Sequence, residues 1–294
     1  MMKLPLFWSP KFSLLNSDQN GILSVLNAHT NSLATMPYRL SGTRLRSPGI
    51  GTFGGLFCES EVVDWSQLWI DVILLNPDVS EYEVVFPPEY FYPKIFLNQF
   101  DACLNLFDVE VTTDINQHVL LESSPLPGLS KGNRKKFRQF NEAGGVVYRN
   151  LDMDLDEVID VLEKSRADLG VQLSMSREQI RSAFSQMPNE YSCYSAVIAE
   201  SVVAAAITVE LSAEVIYVLY WGDVGGSWKR TSPVVALYLA IAEDSRLRGY
   251  TVLDLGTCSV DGVVNEGLRK FKENLGATTS LRRKVRFQRP LDFA

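Results

Sequence analysis

The sequence predicts an α/β fold, a mixed sheet with helices on its faces, built twice along the chain. Three observations lead there. Strand-length segments rich in β-branched and aromatic residues alternate with stretches whose apolar residues recur at i, i+3, i+4 and i+7. In both halves a helix separates successive strands, which makes such strands parallel neighbours joined by a crossover. The length, 294 residues, exceeds one ordinary domain of about 150 residues. No residue-level repeat accompanies the repeated element order.

The first 46 residues carry the weakest signals: a short aromatic start, a helix over 19–27 and a strand near Tyr38. SPGIGTFGGLFCE is glycine-rich without the register of a nucleotide loop, and reads as a turn leading into a strand. Trp65, Leu68, Trp69 and Val72 then mark one face of a helix. EYEVVFPP is a strand, 93–106 a helix, and VEVTTDINQHVLLE one or two strands. SSPLPGLS opens a linker near Pro125 that continues as a basic helix.

In the second half GVVYRN is a strand, 155–169 a helix and 176–187 a helix capped by Ser176. SCYSAVIAE and VVAAAITVEL form an antiparallel hairpin turning at Glu200 and Ser201. VIYVLYW is a buried strand that stops at Gly222 and Asp223. Ser232 and Pro233 then start a helix, with serine as the cap and proline at the first helical position. Val234, Leu237, Tyr238 and Ile241 share its apolar face, and Gly249 suits a left-handed C-terminal cap. TVLDL is a short strand. Val264, Leu268, Phe271 and Leu275 signal a last helix, on which Asn265, Arg269 and Lys272 lie beside the apolar stripe. LRRKVRF closes the sheet.

Composition excludes several function classes. The chain is 46% hydrophobic and 21% charged, and no apolar run reaches the roughly 20 residues of a membrane helix. The start lacks a secretory signal, so a cytoplasmic location is expected. Cys58, Cys103, Cys193 and Cys258 are scattered, as reduced thiols would be, and form no metal knuckle. His29 and His118 stand in separate contexts, away from any hydrolase or zinc motif. A net charge of -7 opposes general nucleic-acid affinity.

Polar residues gather where strands and helices meet. Asp254 either orients and deprotonates an attacking amine or caps the turn that follows it. Lys272 and Asn265 either stabilise negative charge or form a solvated helix face. Tyr220 and Trp221 end a strand, as a substrate wall or as core, and Asp223 offers an acceptor contact. Lys131, Arg134, Lys135, Lys136 and Arg138 either grip donor phosphates or solvate a connecting helix. Arg282, Lys284 and Arg286 alternate onto one strand face, extending that basic surface or protecting an edge strand.

Four pieces in order resemble the FemAB-like branch of the Gcn5-related N-acetyltransferase (GNAT) superfamily. They are GNRKKFRQFNEAGG, YWGD from Tyr220 to Asp223, SPVVAL from Ser232, and DLGT followed by NEGLRKFKENLGA; together they span 131–277. The N-terminal half is similar in element order and in SPGIGTFGGL. The resemblance implies tandem GNAT-like folds: a degenerate copy over 1–125, a basic linker helix over 126–145 and a C-terminal copy over 146–294.

It also implies transfer of an acyl group from acyl-CoA or aminoacyl-tRNA to an amine or hydroxyl of a sugar- or peptide-type acceptor, in cell-envelope precursor synthesis and without a metal. Asp254, Lys272 and Asn265 are then the catalytic candidates. Tyr220, Trp221, Asp223, Ser232 and Thr257 would line the substrate site, and Arg134, Lys135 and Arg230 would hold the carrier. Superfamily members that use acetyl-CoA carry an R/Q-x-x-G-x-G/A loop before the central helix. Here Arg230, Thr231, Ser232, Pro233, Val234 and Val235 occupy that place without a glycine. No tyrosine between Asp261 and Leu275 is available as a late general acid. The rival reading is a non-catalytic binding protein on the same fold.

Overall fold

The structure, a computed structural model, describes residues 4–13, 15, 20–27, 30–60, 62–149 and 155–290. Gln19, His29 and Asn150 lie outside them. In chain order the first elements are α1 (Pro10–Ser13), β1 (Asn20–Asn27), β2 (Ser32–Ser41), β3 (Arg44–Ser47), α2 (Trp65–Leu74), β4 (Glu81–Pro88), α3 (Pro93–Leu106), β5 (Val109–Leu120) and α4 (Lys131–Glu142). Then come β6 (Val146–Arg149), α5 (Leu155–Ala167), α6 (Arg177–Gln186), β7 (Tyr191–Ile198), β8 (Ser201–Glu210), β9 (Val215–Asp223), α7 (Pro233–Leu247) and β10 (Val252–Thr257). A hairpin of β11 (Ser259–Val260) and β12 (Val263–Val264), α8 (Glu266–Glu273) and β13 (Thr278–Gln288) complete the chain. The predicted α/β class with mixed strand directions holds.

The chain packs as two units: Met1–Asn116 with Ser259–Val264 and Ser280–Ala294, and Gln117–Cys258 with Asn265–Thr279. In the first unit β1, β2 and β3 form an antiparallel meander, β3 runs parallel to β4, and β13 pairs antiparallel with β4. The helix predicted over 19–27 is instead strand β1. Ile22, Val25 and Leu26 mimic helical spacing, but eight residue pairs with β2 set an alternation that buries Val25 and Asn27 and exposes Ser24 and Leu26.

The glycine-rich stretch forms no strand beyond a single bridge between Thr35 and Phe57. Its glycines let the backbone lie against a buried aromatic cluster. A Cβ at Gly54 would stand 2.4 Å from Ser47 Oγ, and the Trp8 indole donates to the Gly55 carbonyl at 2.7 Å. Phe7, Trp8, Phe53, Phe57 and Phe96 pack ring to ring around it. Helix α2 starts as its sequence requires, with Asp64 accepting from the Gln67 amide at 3.0 Å.

The cations of β13 form neither a basic surface nor a bare edge, because β4 pairs with the strand and carboxylates meet the side chains. Arg282 contacts Asp114 at 3.3 Å, Arg286 contacts Glu83 at 2.7 Å, and Lys284 pairs with Asp261. The β11–β12 hairpin has no counterpart in the sequence-based expectation, which put Val264 on the last helix. It is held by the buried carboxylate of Asp114, which accepts from Ser259 Oγ at 2.7 Å and from the Gly262 amide at 3.1 Å.

In the second unit β6, β7, β8 and β9 are successively antiparallel and β10 is parallel to β9. The hairpin turn falls on Ala199 and Glu200, at φ 47° and 62°, one residue earlier than predicted. Helix α7 supplies the crossover that a parallel β9–β10 pair requires. It shares a core with Phe140 of α4 and with Tyr194, Ala204, Ile216 and Leu253 of the strands. Gly249 stands at φ 90° just past its end, the predicted left-handed cap. Helix α6 opens with a complete capping box between Ser176 and Gln179.

Helix α5 packs on β8 and β9, and its closest approach explains Gly222. A Cβ there would stand 2.3 Å from Ser165 Oγ. Gly222→Ala is therefore expected to lower stability by about 1–3 kcal/mol through overpacking, measured as a shift in urea midpoint. An unchanged midpoint would mean that α5 yields freely.

Candidate functional site

The last strands of the second unit separate. Pairing between β9 and β10 runs from Val215 and Val252 to Tyr217 and Asp254, yet β9 continues to Asp223 and β10 to Thr257. Asp254 and Gly256 turn β10 away. Gly256 adopts φ 78°, a left-handed conformation that glycine tolerates, and donates its amide to Asp254 Oδ1 at 2.7 Å. A Cβ on Gly256 would sit 3.2 Å from the Tyr217 hydroxyl, closer than an ordinary van der Waals contact.

A strand that leaves its neighbour strands carbonyl groups, and burial makes that costly. Lys272 of α8 meets this need. Its Nζ donates to the carbonyls of Gly256 at 2.8 Å and Thr257 at 2.9 Å, and the residue is only 2% exposed. Phe271, its neighbour, packs edge-on against Trp221 at 5.8 Å between ring centroids, so α8 bridges the separated ends of β9 and β10. Asp254 is fully buried.

Burial pushes the Lys272 ammonium down from its ordinary 10.5 to about 8, against the opposing pull of Asp254. His118 of β5 belongs to the same electrostatic group. Burial holds its pKa below the usual value and the Asp254 charge partly offsets this. The sequence-based expectation did not place His118 beside Asp254. Its sequence signal was the run DINQH, in which Asp114, Asn116, Gln117 and His118 are all buried polar residues of one strand.

The lysine implies a pH signature. Its lowered folded-state pKa costs stability below about 8, where the ammonium is charged in both states. That cost of about 3 kcal/mol is relieved as pH rises from about 8 toward 10.5, where only the unfolded state keeps the proton. The raised tyrosines Tyr191, Tyr194 and Tyr238 act oppositely above pH about 10, so the window to observe is about pH 8–10. Wild-type protein is expected to gain stability there relative to Lys272→Met in denaturant titrations. Parallel pH curves for the two proteins would contradict the assignment.

The other sequence-predicted residues fall in distinct places. Thr257 supplies the carbonyl already described. Tyr220 is buried, its hydroxyl 2.5 Å from Ser174 Oγ and accepting from the Met175 amide at 3.1 Å, which ties down the chain before α6. Asp223 accepts from the Gly225 amide at 2.9 Å, a local turn. Ser232 makes no side-chain cap on α7, contrary to expectation; it takes φ 42°, the left-handed conformation that a glycine would adopt. Asn265 is not on the helix face with Lys272. It is the N-cap of α8, accepting from Leu268 at 3.0 Å, about 10 Å along the axis from the lysine. Arg134 spends its guanidinium on the carbonyls of Pro127 at 3.2 Å and Leu129 at 2.6 Å, while Lys135 and Arg230 are exposed. The structure therefore gathers Asp254, Thr257 and Lys272, adds His118, and reaches Trp221 through Phe271.

Among the described residues no cluster of three or more His, Cys, Asp or Glu is placed to hold a metal ion, and no helix is long and apolar enough to cross a membrane.

A comparison with protein families matches residues 130–273 to the acetyltransferase (GNAT) domain. No curated protein sequence matches the chain. Among solved structures, FemX is similar over 94% of this chain and 90% of its own, at 11% identity and a TM-score of 0.65. L-PGS from Bacillus licheniformis is similar over 93% of this chain and 86% of its own, at 14% identity and a TM-score of 0.59. A tandem GNAT protein from the clavulanic acid biosynthesis pathway is similar over 94% of this chain and 85% of its own, at 10% identity and a TM-score of 0.56. At such identities these likenesses speak to the fold, and the tandem GNAT architecture is the one predicted. Residues 130–273, just under half of the chain, thus match the acetyltransferase (GNAT) domain, and the chain shares its fold with FemX, L-PGS and a tandem GNAT protein.

Proposed function

We propose that the chain transfers an acyl or aminoacyl group from an activated carrier to an amine or hydroxyl of a sugar- or peptide-type acceptor, in the cytoplasm and in the service of cell-envelope precursors. The observation that carries this reading is the parting of β9 from β10, with a buried lysine at the freed strand end. An acceptor amine would attack the carrier-bound carbonyl in that opening. Lys272, with two N–H groups on strand carbonyls and a third remaining, would stabilise the developing oxyanion, and positioning would supply much of the rest.

Acyl-CoA fits the start of α7 in one respect. The helix begins without a side-chain cap and Ser232 adopts a glycine-like backbone; Pro233 has no amide hydrogen and the Val235 amide donates to the Ser232 carbonyl at 2.8 Å, so the Val234 amide is the first-turn donor left for a phosphate. CoA would supply the activated thioester. Aminoacyl-tRNA, which the FemAB-like resemblance implies, is the other donor. A non-catalytic binding protein is the second reading, favoured by Asn265, Asp223 and Arg134 being spent on local hydrogen bonds.

Titration calorimetry with acetyl-CoA, longer acyl-CoAs and aminoacyl-tRNA separates these outcomes. Saturable binding of one donor class is expected. Absence of binding by every donor would favour the second reading.

A further inference from the structure

A groove of about 440 Å³ in the second unit runs between α4, α7 and β6, away from the residues that form the site above. Leu126, Phe137, Phe140, Val146, Leu239 and Ala240 make it largely apolar. Its lips are open: Leu126 is 42% and Val146 47% exposed, values at which an apolar side chain gains by being covered. Beside Val146, on the same strand, Tyr148 is 50% exposed.

The charge around this groove selects its occupant. At about 100° per residue, Phe137, Phe140 and Asn141 of α4 face the groove, with Lys136 and Arg138 about a quarter turn to either side and Lys131 and Lys135 further round the helix. Lys131, Lys135, Lys136 and Arg138 are exposed and have no hydrogen bond or ion pair among the described residues. The lining carboxylate Glu243 is neutralised by Arg246, through contacts at 3.1 and 2.6 Å. Such a cationic rim around an apolar slot, in a chain of net charge -7, complements a ligand that is anionic at one end and hydrocarbon at the other. A nucleic acid would satisfy the cations and leave the slot uncovered.

We propose that this face docks on an acidic phospholipid surface, with headgroup phosphates on the α4 cations and an acyl chain in the groove. The inference does not rest on the acyl-transfer reading.

Co-sedimentation with vesicles of phosphatidylcholine alone, or mixed equally with phosphatidylserine, tests it. Binding is expected only to the mixed vesicles and should fall as salt rises. Lys136→Glu with Arg138→Glu should weaken it at least about 25-fold, each cation near such a surface being worth roughly fivefold. Ala240→Phe, which fills the half-buried groove floor, should weaken it about tenfold with the melting temperature retained; Val146→Glu at the exposed lip serves if that variant unfolds. Equal binding to both vesicles, binding to neither, or full binding by the groove variants would each overturn the proposal. So would capture of RNA or an acidic protein in place of the mixed vesicles.

Discussion

Replacing Lys272 with methionine is expected to slow acyl transfer by about a hundredfold or more, the effect of losing one preorganised donor to the transition-state oxyanion. The same substitution should lower stability by about 1–3 kcal/mol, because the Gly256 and Thr257 carbonyls would be left without a donor. As a surface residue on an amphipathic helix, the lysine would have been removable at little cost to folding; its burial changes that. Asn265→Ala provides the matched control. Loss of the α8 cap costs about 1 kcal/mol and touches neither carbonyl, so turnover should survive it. Comparable turnover losses in both variants would reduce Lys272 to a structural clasp.

Asp254→Ala should have the largest effect on stability, about 2–4 kcal/mol, since it strips the Gly256 amide of its acceptor and removes the anion that offsets a buried ammonium. The pKa of Lys272 should fall further below about 8, by about one unit or more, as read from the carbon resonances next to its Nζ. Asp254→Asn separates the two contributions, because its amide oxygen can still accept from Gly256. That variant should retain most of the stability and still show the lowered lysine pKa. An unmoved lysine in both variants would remove Asp254 from the electrostatic group.

Local chemistry was legible where it was sufficient. The helices starting at Pro93 and Arg177, the Gly249 cap and the β7–β8 hairpin follow from periodicity, capping and turn signals within a few residues. Strand β1 was misread because pairing with β2 decides between a helical and an extended reading of the same apolar residues. The β11–β12 hairpin was missed because its turn is stabilised by Asp114, some 148 residues distant from Gly262. The site divides in the same way. Asp254 two residues before a glycine announced a turn at a strand end, whereas nothing near Lys272 says that its partners are carbonyls 15 and 16 residues earlier. The relation of His118 to Asp254 was illegible for the same reason, since the fold and not the local sequence brings them together.

The account stands most directly on the fate of a donor in the opening between β9 and β10. Wild-type protein should release free carrier from acyl-CoA or aminoacyl-tRNA when supplied with amine acceptors, measured as free thiol or deacylated tRNA. The rate should decline as pH passes about 8 and the Lys272 ammonium is lost. A protein that consumes neither donor, or one in which Lys272→Met consumes it at the wild-type rate with no change in pH profile, would contradict the account.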